Sequence, residues 1–231
     1  MNIPAIEFND VCFSYPRGQE VLRHISFSIQ SGEKVALVGL NGSGKSTLLL
    51  HTNGLLLADN GTVAVNGKVI NRKNVEDCRR CVGMVFQNAD DQLFMPTVET
   101  DVAFGPRNMG LSDDEVKKRV EEALRTTGCL AFRESAPYHL SGGQKKMASI
   151  ATVLSMEPDI LVFDEPTSGL DFAAEAQFIG IADRLPHTML MSTHDMNLAR
   201  RLCSRAILMD YGAIAYDGPI DTLPYPLIST L

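Results

Sequence analysis

The sequence predicts an α/β fold: a core of parallel strands, an antiparallel β-subdomain and an inserted helical subdomain. Three observations carry that reading. Short continuous apolar runs recur at Val35-Ala36-Leu37-Val38, Val82-Gly83-Met84-Val85-Phe86, Ile160-Leu161-Val162-Phe163 and Met189-Leu190-Met191-Ser192, as expected of strands covered on both faces. The first thirty residues alternate instead, with Ile6, Phe8, Ile25, Phe27 and Ile29 apolar between polar neighbours, which is the period of half-buried strands. Between Asn88 and His139 no long apolar β run occurs, and helical spacing takes over.

Taken in order, the alternating stretch gives antiparallel strands flanking a turn. Residues 35–38 give a buried strand, followed by Gly39-Leu40-Asn41-Gly42-Ser43-Gly44-Lys45-Ser46 and then Thr47-Leu48-Leu49-Leu50 opening a helix. Asn66-Gly67 lies between two apolar runs, a hairpin signal because both central residues of that turn need positive φ. Ser112-Asp113-Asp114-Glu115 reads as a capping box, with Val116, Val120, Ala123 and Leu124 recurring on one face. A further helix is expected from about Ser141 through Ile150 and Leu154 until Pro158 stops it. Residues 206–216 read as a closing hairpin across Tyr211-Gly212.

Composition bounds the function. With 231 residues, 45% hydrophobic and 21% charged, the chain is expected to form one domain, or one domain with an elaboration. A net charge of −7 and the absence of a basic tract argue against nucleic acid as a partner. No signal peptide is read at Met1-Asn2-Ile3-Pro4 and no apolar run is long enough to span a bilayer, so the expectation is a cytoplasmic chain. The five cysteines are expected to be reduced thiols. Cys78-Arg79-Arg80-Cys81 has metal-site or redox spacing, but no second pair or nearby histidine to complete a tetrahedral zinc site.

The glycine-rich segment between a strand and a helix is a phosphate-binding loop. Its glycines let backbone N–H groups of residues such as Asn41 and Ser43 turn inward, Lys45 neutralises the outer phosphates, and the Ser46 hydroxyl suits Mg²⁺. The helix dipole beginning near Thr47 adds positive potential. Residues 160–163 deliver Asp164 and Glu165 to the carboxyl end of a buried strand, where open α/β sheets place ligands. Asp164 is expected to hold Mg²⁺ through water, and Glu165 to polarise the attacking water as general base. Leu140-Ser141-Gly142-Gly143-Gln144 exposes backbone N–H groups where a helix begins and reads as a second anion site.

The order of loop 39–46, Gln87, 140–144, 160–165, Ser168-Gly169-Leu170-Asp171 and His194 resembles the ATPase subunit of ATP-binding cassette (ABC) transporters over essentially the full length. The resemblance implies a single ABC ATPase domain over 1–231: a P-loop NTPase (RecA-like) core, 1–87 and 156–231, and a helical subdomain at about 88–155. It implies that Tyr15 stacks on adenine, that Gln87 reaches Mg²⁺ and the attacking water, that Asp171 lies at the nucleotide, and that His194 contacts the γ-phosphate. His24, His51, His139 and His187 match no such position and read as surface or packing residues.

The stretch from Val85 to Pro106 is similar to the energy-coupling-factor branch, which imports cobalt, nickel, biotin and other vitamins. That implies an Mg²⁺-dependent ATPase on the cytoplasmic face of the membrane, working with a transmembrane coupling subunit and a substrate-binding membrane subunit. A homodimer is expected because every nucleotide-site element is intact in one chain, with a heterodimer as the alternative. Two positions depart from the family pattern: Met147 stands where a basic residue is common, and Phe172 where a proline follows the aspartate. Some branch members carry a C-terminal extension holding the dimer together; this chain stops at Leu231, so its dimer is expected to depend more on ATP. The alternatives are an ATPase of another ABC transporter class or a soluble P-loop kinase or ATPase. A kinase would not need 140–144 or His194, and a chromosome ATPase would need a long heptad insertion after Gln87.

Overall fold

The computed structural model describes residues 3–16, 18 and 20–224. The expectations attached to Met1, Asn2 and Leu231 fall outside them. In chain order come strands β1 (Ile6–Ser14), β2 (Glu20–Ile29) and β3 (Lys34–Gly39), helix α1 (Lys45–Thr52), strands β4 (Asn60–Val65) and β5 (Lys68–Val69), helix α2 (Val75–Cys81) and strand β6 (Val82–Val85). Helices α3 (Val98–Asn108), α4 (Asp113–Thr126) and α5 (Gly142–Leu154) follow. The chain ends through β7 (Ile160–Asp164), α6 (Phe172–Arg184), β8 (Thr188–Ser192), α7 (Met196–Leu202), β9 (Arg205–Asp210) and β10 (Ala213–Pro219). This is the α/β architecture, with an antiparallel sheet and a helical subdomain, that the apolar patterning predicts.

The described residues form two compact units, one within Met1–Val82, Asp159–Asp164 and Pro186–Leu231, the other Gly83–Pro158 with Glu165–Leu185. The helical stretch 88–155 lies inside the second unit, which also takes in α6.

In the first unit, β2, β1, β4 and β5 form an antiparallel sheet in that order. Ile6 sits opposite Ile29 and Phe8 opposite Phe27, and the two phenylalanine rings stack at 4.7 Å. Asn66 and Gly67 close the β4–β5 turn at φ +48° and +75°, the left-handed pair that a two-residue hairpin needs. The second sheet carries β10, β9, β3, β8 and β7 in order. Strands β3, β8, β7 and β9 run parallel, and Val35, Leu37, Val162, Phe163 and Leu190 are wholly buried. Each such side chain contributes roughly 1.5–3 kcal/mol of burial. Antiparallel β10 closes the edge through Tyr211-Gly212, as the tail hairpin predicts.

In the second unit α3, α4 and α5 pack on one another. Thr97 and Thr100 form a reciprocal capping box at the start of α3. Pro106 lies inside α3 and lacks the N–H that would reach Val102 O. The Ser155 hydroxyl donates to that carbonyl instead, at 2.8 Å. Two expectations are corrected here. Ser112 Oγ accepts from Glu115 N, but the Glu115 carboxylate turns to Arg119 at 2.9 Å, an i,i+4 ion pair that replaces the return bond of a capping box. Helix α5 ends at Leu154, ahead of Pro158: Ser155 is its C-cap, still bonded back to Ala151 O, and Glu157 at φ +51° breaks the helix before the proline is reached.

Candidate nucleotide site

The loop from Gly39 to Gly44 leaves the carboxyl end of β3 and enters α1. Gly39 has φ +149°, and a Cβ there would collide with Met209 O and Ser43 Oγ. Gly42 and Gly44 are also at positive φ, Gly44 as the left-handed N-cap of α1. The first turn of α1 carries no acidic side chain, so its unpaired N–H groups keep their positive potential. Asn41 and Ser46 are exposed, whereas Lys45 and Thr47 are buried. Lys45 Nζ donates to Gly39 O at 2.7 Å and Leu40 O at 3.1 Å, which holds the ammonium at the loop. Ser43 Oγ is buried with no hydrogen-bond partner. An orphaned hydroxyl in a glycine turn at a helix N-terminus can be satisfied by a phosphate oxygen, so these residues fit a nucleotide.

Three further candidates share the first unit. Tyr15 follows β1 and is 41% exposed, its ring edge-on to Phe13 at 5.0 Å and its hydroxyl 3.2 Å from Thr47 Oγ1. Asp164 ends β7, opposite Ser192 of β8, and accepts from Ser192 Oγ at 2.6 Å, so it is buried with one oxygen fixed. His194 lies exposed just past β8. Strand ends of a parallel sheet thus carry the loop, Asp164 and the approach to His194, as the Asp164 reading requires.

The remaining candidates belong to the second unit. Glu165 follows Asp164 directly, is buried, and takes φ +43°, an uncommon conformation for a non-glycine residue. Gln87 is exposed just beyond β6. Ser141 caps α5: its Oγ accepts from Gln144 N and its own N–H donates to Gln144 Oε1, a reciprocal capping box. Gly142 is exposed. Gly143 is required by packing, since a Cβ there would come within 2.6 Å of the Ala174 Cβ. Asp171 is the N-cap of α6, its Oδ1 accepting from Ala174 N at 2.8 Å.

The acidic residues after Gln87 are largely engaged. Asp90 pairs with Lys145 at 2.7 Å and Glu99 with Arg133. Asp101 is buried, its Oδ1 accepting from the Phe94 and Met95 amides at 3.0 Å each, and burial raises its pKa. Asp91 remains exposed. Phe94 is 64% and Phe104 42% exposed, edge to face at 5.0 Å.

Lys146 is a functional candidate that sequence reasoning does not single out. It is 3% exposed and donates to Phe86 O and Gln87 O. Its signal is a lysine in register with Ser149, Ile150 and Val153, all on the buried face of α5. The cysteine pair carries no such geometry: burial pushes the Cys78 and Cys81 thiols up, which disfavours the thiolate. Of the histidines, His51 and His187 are packed and have lowered pKa values, while exposed His24 pairs with Asp10.

Comparison with known proteins gives the family. The ABC transporter family model matches residues 22–168. A protein of Geobacter sulfurreducens, named as a candidate ABC transporter ATP-binding protein, is 51% identical over 95% of this chain and 88% of its own length. The energy-coupling factor transporter ATP-binding protein EcfA1 of Methanospirillum hungatei is 44% identical over 93% of this chain and 79% of its own. Among solved structures, CbiO1 of Clostridium perfringens, part of the ABC transporter complex CbiONQ, matches with TM-score 0.85 and 35% identity over 95% of this chain and 90% of that one. The ATP-binding cassette MJ0796, a dimer in a post-hydrolysis state bound to ADP and Pi, matches with TM-score 0.84 and 27% identity over 93% and 98%. Among the described residues no helix is long and apolar enough to cross a membrane. A P-loop NTPase fold, the phosphate loop with its orphaned Ser43 hydroxyl, and these matches place the chain in the ABC transporter family, as an ATP-binding subunit.

Proposed function

We propose that this chain is the ATP-hydrolysing subunit of an energy-coupling-factor importer, driving uptake of a transition metal ion such as cobalt or nickel, or of a vitamin such as biotin. The observation that carries the ATPase reading is the glycine loop between β3 and α1, with Lys45 held at it and Ser43 Oγ buried without a partner. The likeness to EcfA1 and to CbiO1 supports the branch.

In this reading the N–H groups of Gly39, Asn41, Gly42, Ser43, Gly44 and Thr47 and the Lys45 ammonium bind the phosphates, and Tyr15 stacks on adenine for about 1–3 kcal/mol. Ser46, Asp164 and Gln87 would hold Mg²⁺, which would neutralise charge on the phosphate oxygens. Asp164 is prepared for this by Ser192, which fixes one carboxylate oxygen. Glu165 accepts the proton of the attacking water on its carboxylate, Gln87 orients that water, and His194 contacts the γ-phosphate. Ser141, Gly142, Gly143 and Gln144, with Asp171, address the nucleotide of a second copy. The chain then works as a homodimer in which ATP favours the closed pair and hydrolysis releases it. It sits peripherally on the cytoplasmic face of the membrane. The transmembrane coupling subunit seats on the exposed Phe94–Phe104 pair, with a substrate-binding membrane subunit beside it. Because Asp90 and Glu99 have partners within the chain, Asp91 is the carboxylate offered to a basic residue of that subunit.

Glu165→Gln tests the reading. Turnover of the purified protein is expected to fall by roughly 10²–10⁴-fold with ATP affinity retained. Uptake of labelled cobalt, nickel or biotin, by cells co-expressing the chain with the membrane proteins encoded beside it, is expected to be lost. Near-wild-type turnover would sink the general-base assignment. Lost turnover without any loss of uptake of these three cargoes would sink the importer.

A further inference from the structure

The segment that carries Gln87 is tied to α5 at three points. Lys146 Nζ donates to Phe86 O at 2.9 Å and to Gln87 O at 2.7 Å. Gln92 accepts from Phe86 N at 3.2 Å and donates to Ser149 O and Thr152 Oγ1 at 2.8 and 2.7 Å. Lys145 closes the far side on Asp90 at 2.7 Å. Lys145, Lys146, Ser149 and Thr152 all lie along one helix whose first turn is Gly142-Gly143-Gln144, capped by Ser141. Gln87 and Ser141 are themselves exposed, so neither is placed by burial of its own side chain.

The strongest of these ties is Lys146. A buried ammonium needs compensation by dipoles or charge, and carbonyls 86 and 87 supply two acceptors; in return each carbonyl gains a charge-assisted bond. The Lys145–Asp90 pair is exposed at Asp90 and therefore contributes little. Lys146 sits two residues past Gln144, so a rotation or shift of the first turn of α5 reaches the Gln87 backbone most directly through its two hydrogen bonds to carbonyls 86 and 87.

We propose that Lys146 is a positioning residue for hydrolysis: it sets the backbone of Gln87 and couples it mechanically to the Ser141–Gln144 turn at the head of α5. This rests on the proposed roles of Gln87 and of 141–144. Lys146 touches neither nucleotide nor water in this scheme; it acts through Gln87.

A double-mutant cycle on the full chain tests it, since residues acting as a unit are non-additive. Lys146→Met keeps the buried stem and removes the donors, and is expected to lower kcat on the order of tenfold with KM for ATP changed less than about twofold. Lys146→Arg, which retains donors, is expected to recover part of that loss. In a Gln87→Ala background, where kcat is already reduced, Lys146→Met is expected to cost less than about twofold more. A full, multiplicative loss in that background, or no loss in the wild-type background, overturns the proposal. Should Lys146→Met not fold, Lys146→Gln replaces it in the same cycle, with the same outcomes for and against. If Gln87→Ala alone leaves kcat unchanged, the reading of Gln87 fails and the positioning role fails with it; if Gln87→Ala lowers kcat and Lys146 variants do not, only the positioning role fails.

Discussion

His51 is 1% exposed on α1, its Nδ1 2.7 Å from Thr47 O and its ring edge-on to Phe13 at 4.8 Å. Because the Thr47 carbonyl can only accept, Nδ1 carries the proton and Nε2, which has no partner, is left as a bare acceptor in the neutral ring. Protonating Nε2 would bury a charge, so burial lowers the pKa below the ordinary 6.5. His187 is shifted in the same direction by the same cause. The folded protein therefore binds fewer protons than the unfolded chain just below pH 6.5, and stability is lost as pH falls from that value towards the folded pKa values. His24 runs the other way, raised by Asp10, but it is fully exposed and its effect is screened. Urea unfolding is expected to show a lower midpoint at pH 5.5 than at 7.5. The drop is expected to shrink in His51→Phe, which keeps an aromatic ring against Phe13 and removes the titrating nitrogen. An unchanged drop in that variant would move the effect elsewhere.

At the scale of elements, α3 and α5 show how one defect is absorbed by a neighbour. Pro106 deprives Val102 O of its helical donor, and Ser155 at the end of α5 replaces it. Ser155→Ala leaves that buried carbonyl unsatisfied, at about 1–3 kcal/mol, or a fall in Tm of several degrees for a chain of this size. Pro106→Ala restores an N–H at the right position, so in that background Ser155→Ala is expected to cost much less. Equal costs in both backgrounds, measured by calorimetry, would show that the Ser155 bond does not serve Val102. This pair also marks the limit of what the sequence discloses. Asn66-Gly67, the four buried strands and the amphipathic face of α4 are legible because each is set by local backbone preference or by a period of side chains. The phosphate loop and Ser141 are legible for the same reason, being contiguous. Lys146, Asp101 and the packing requirement at Gly143 are not, because each is explained by a partner outside its own stretch of sequence pattern: carbonyls 86 and 87, the amides of Phe94 and Met95 in front of a helix, and the Cβ of Ala174. The Ser112 box fails in half for a local reason, an arginine one turn on that competes for Glu115.

On the scale of the whole molecule, the proposed reaction needs two copies, since Lys45 serves the nucleotide of its own chain and the Ser141–Gln144 turn serves that of the partner. Two variants separate these roles. Lys45→Ala removes the charge at the phosphate loop. Gly142→Arg puts bulk and charge on the exposed first turn of α5; a Cβ at 142 meets nothing within 4 Å, and the Ser141–Gln144 bonds that cap the helix stay in place. Replacing Ser141 itself would confound the result, because losing an N-cap costs about 0.5–2 kcal/mol. Each variant alone is expected to be inactive, since both sites of its dimer carry the same defect. In a mixed dimer one site carries both defects and the other neither, so mixing the two proteins is expected to restore part of the hydrolysis. Activity of the wild type is also expected to fall more steeply than linearly on dilution, as dimers dissociate. Linear activity to high dilution together with no rescue on mixing would place the whole reaction within one chain and remove the second copy from the mechanism.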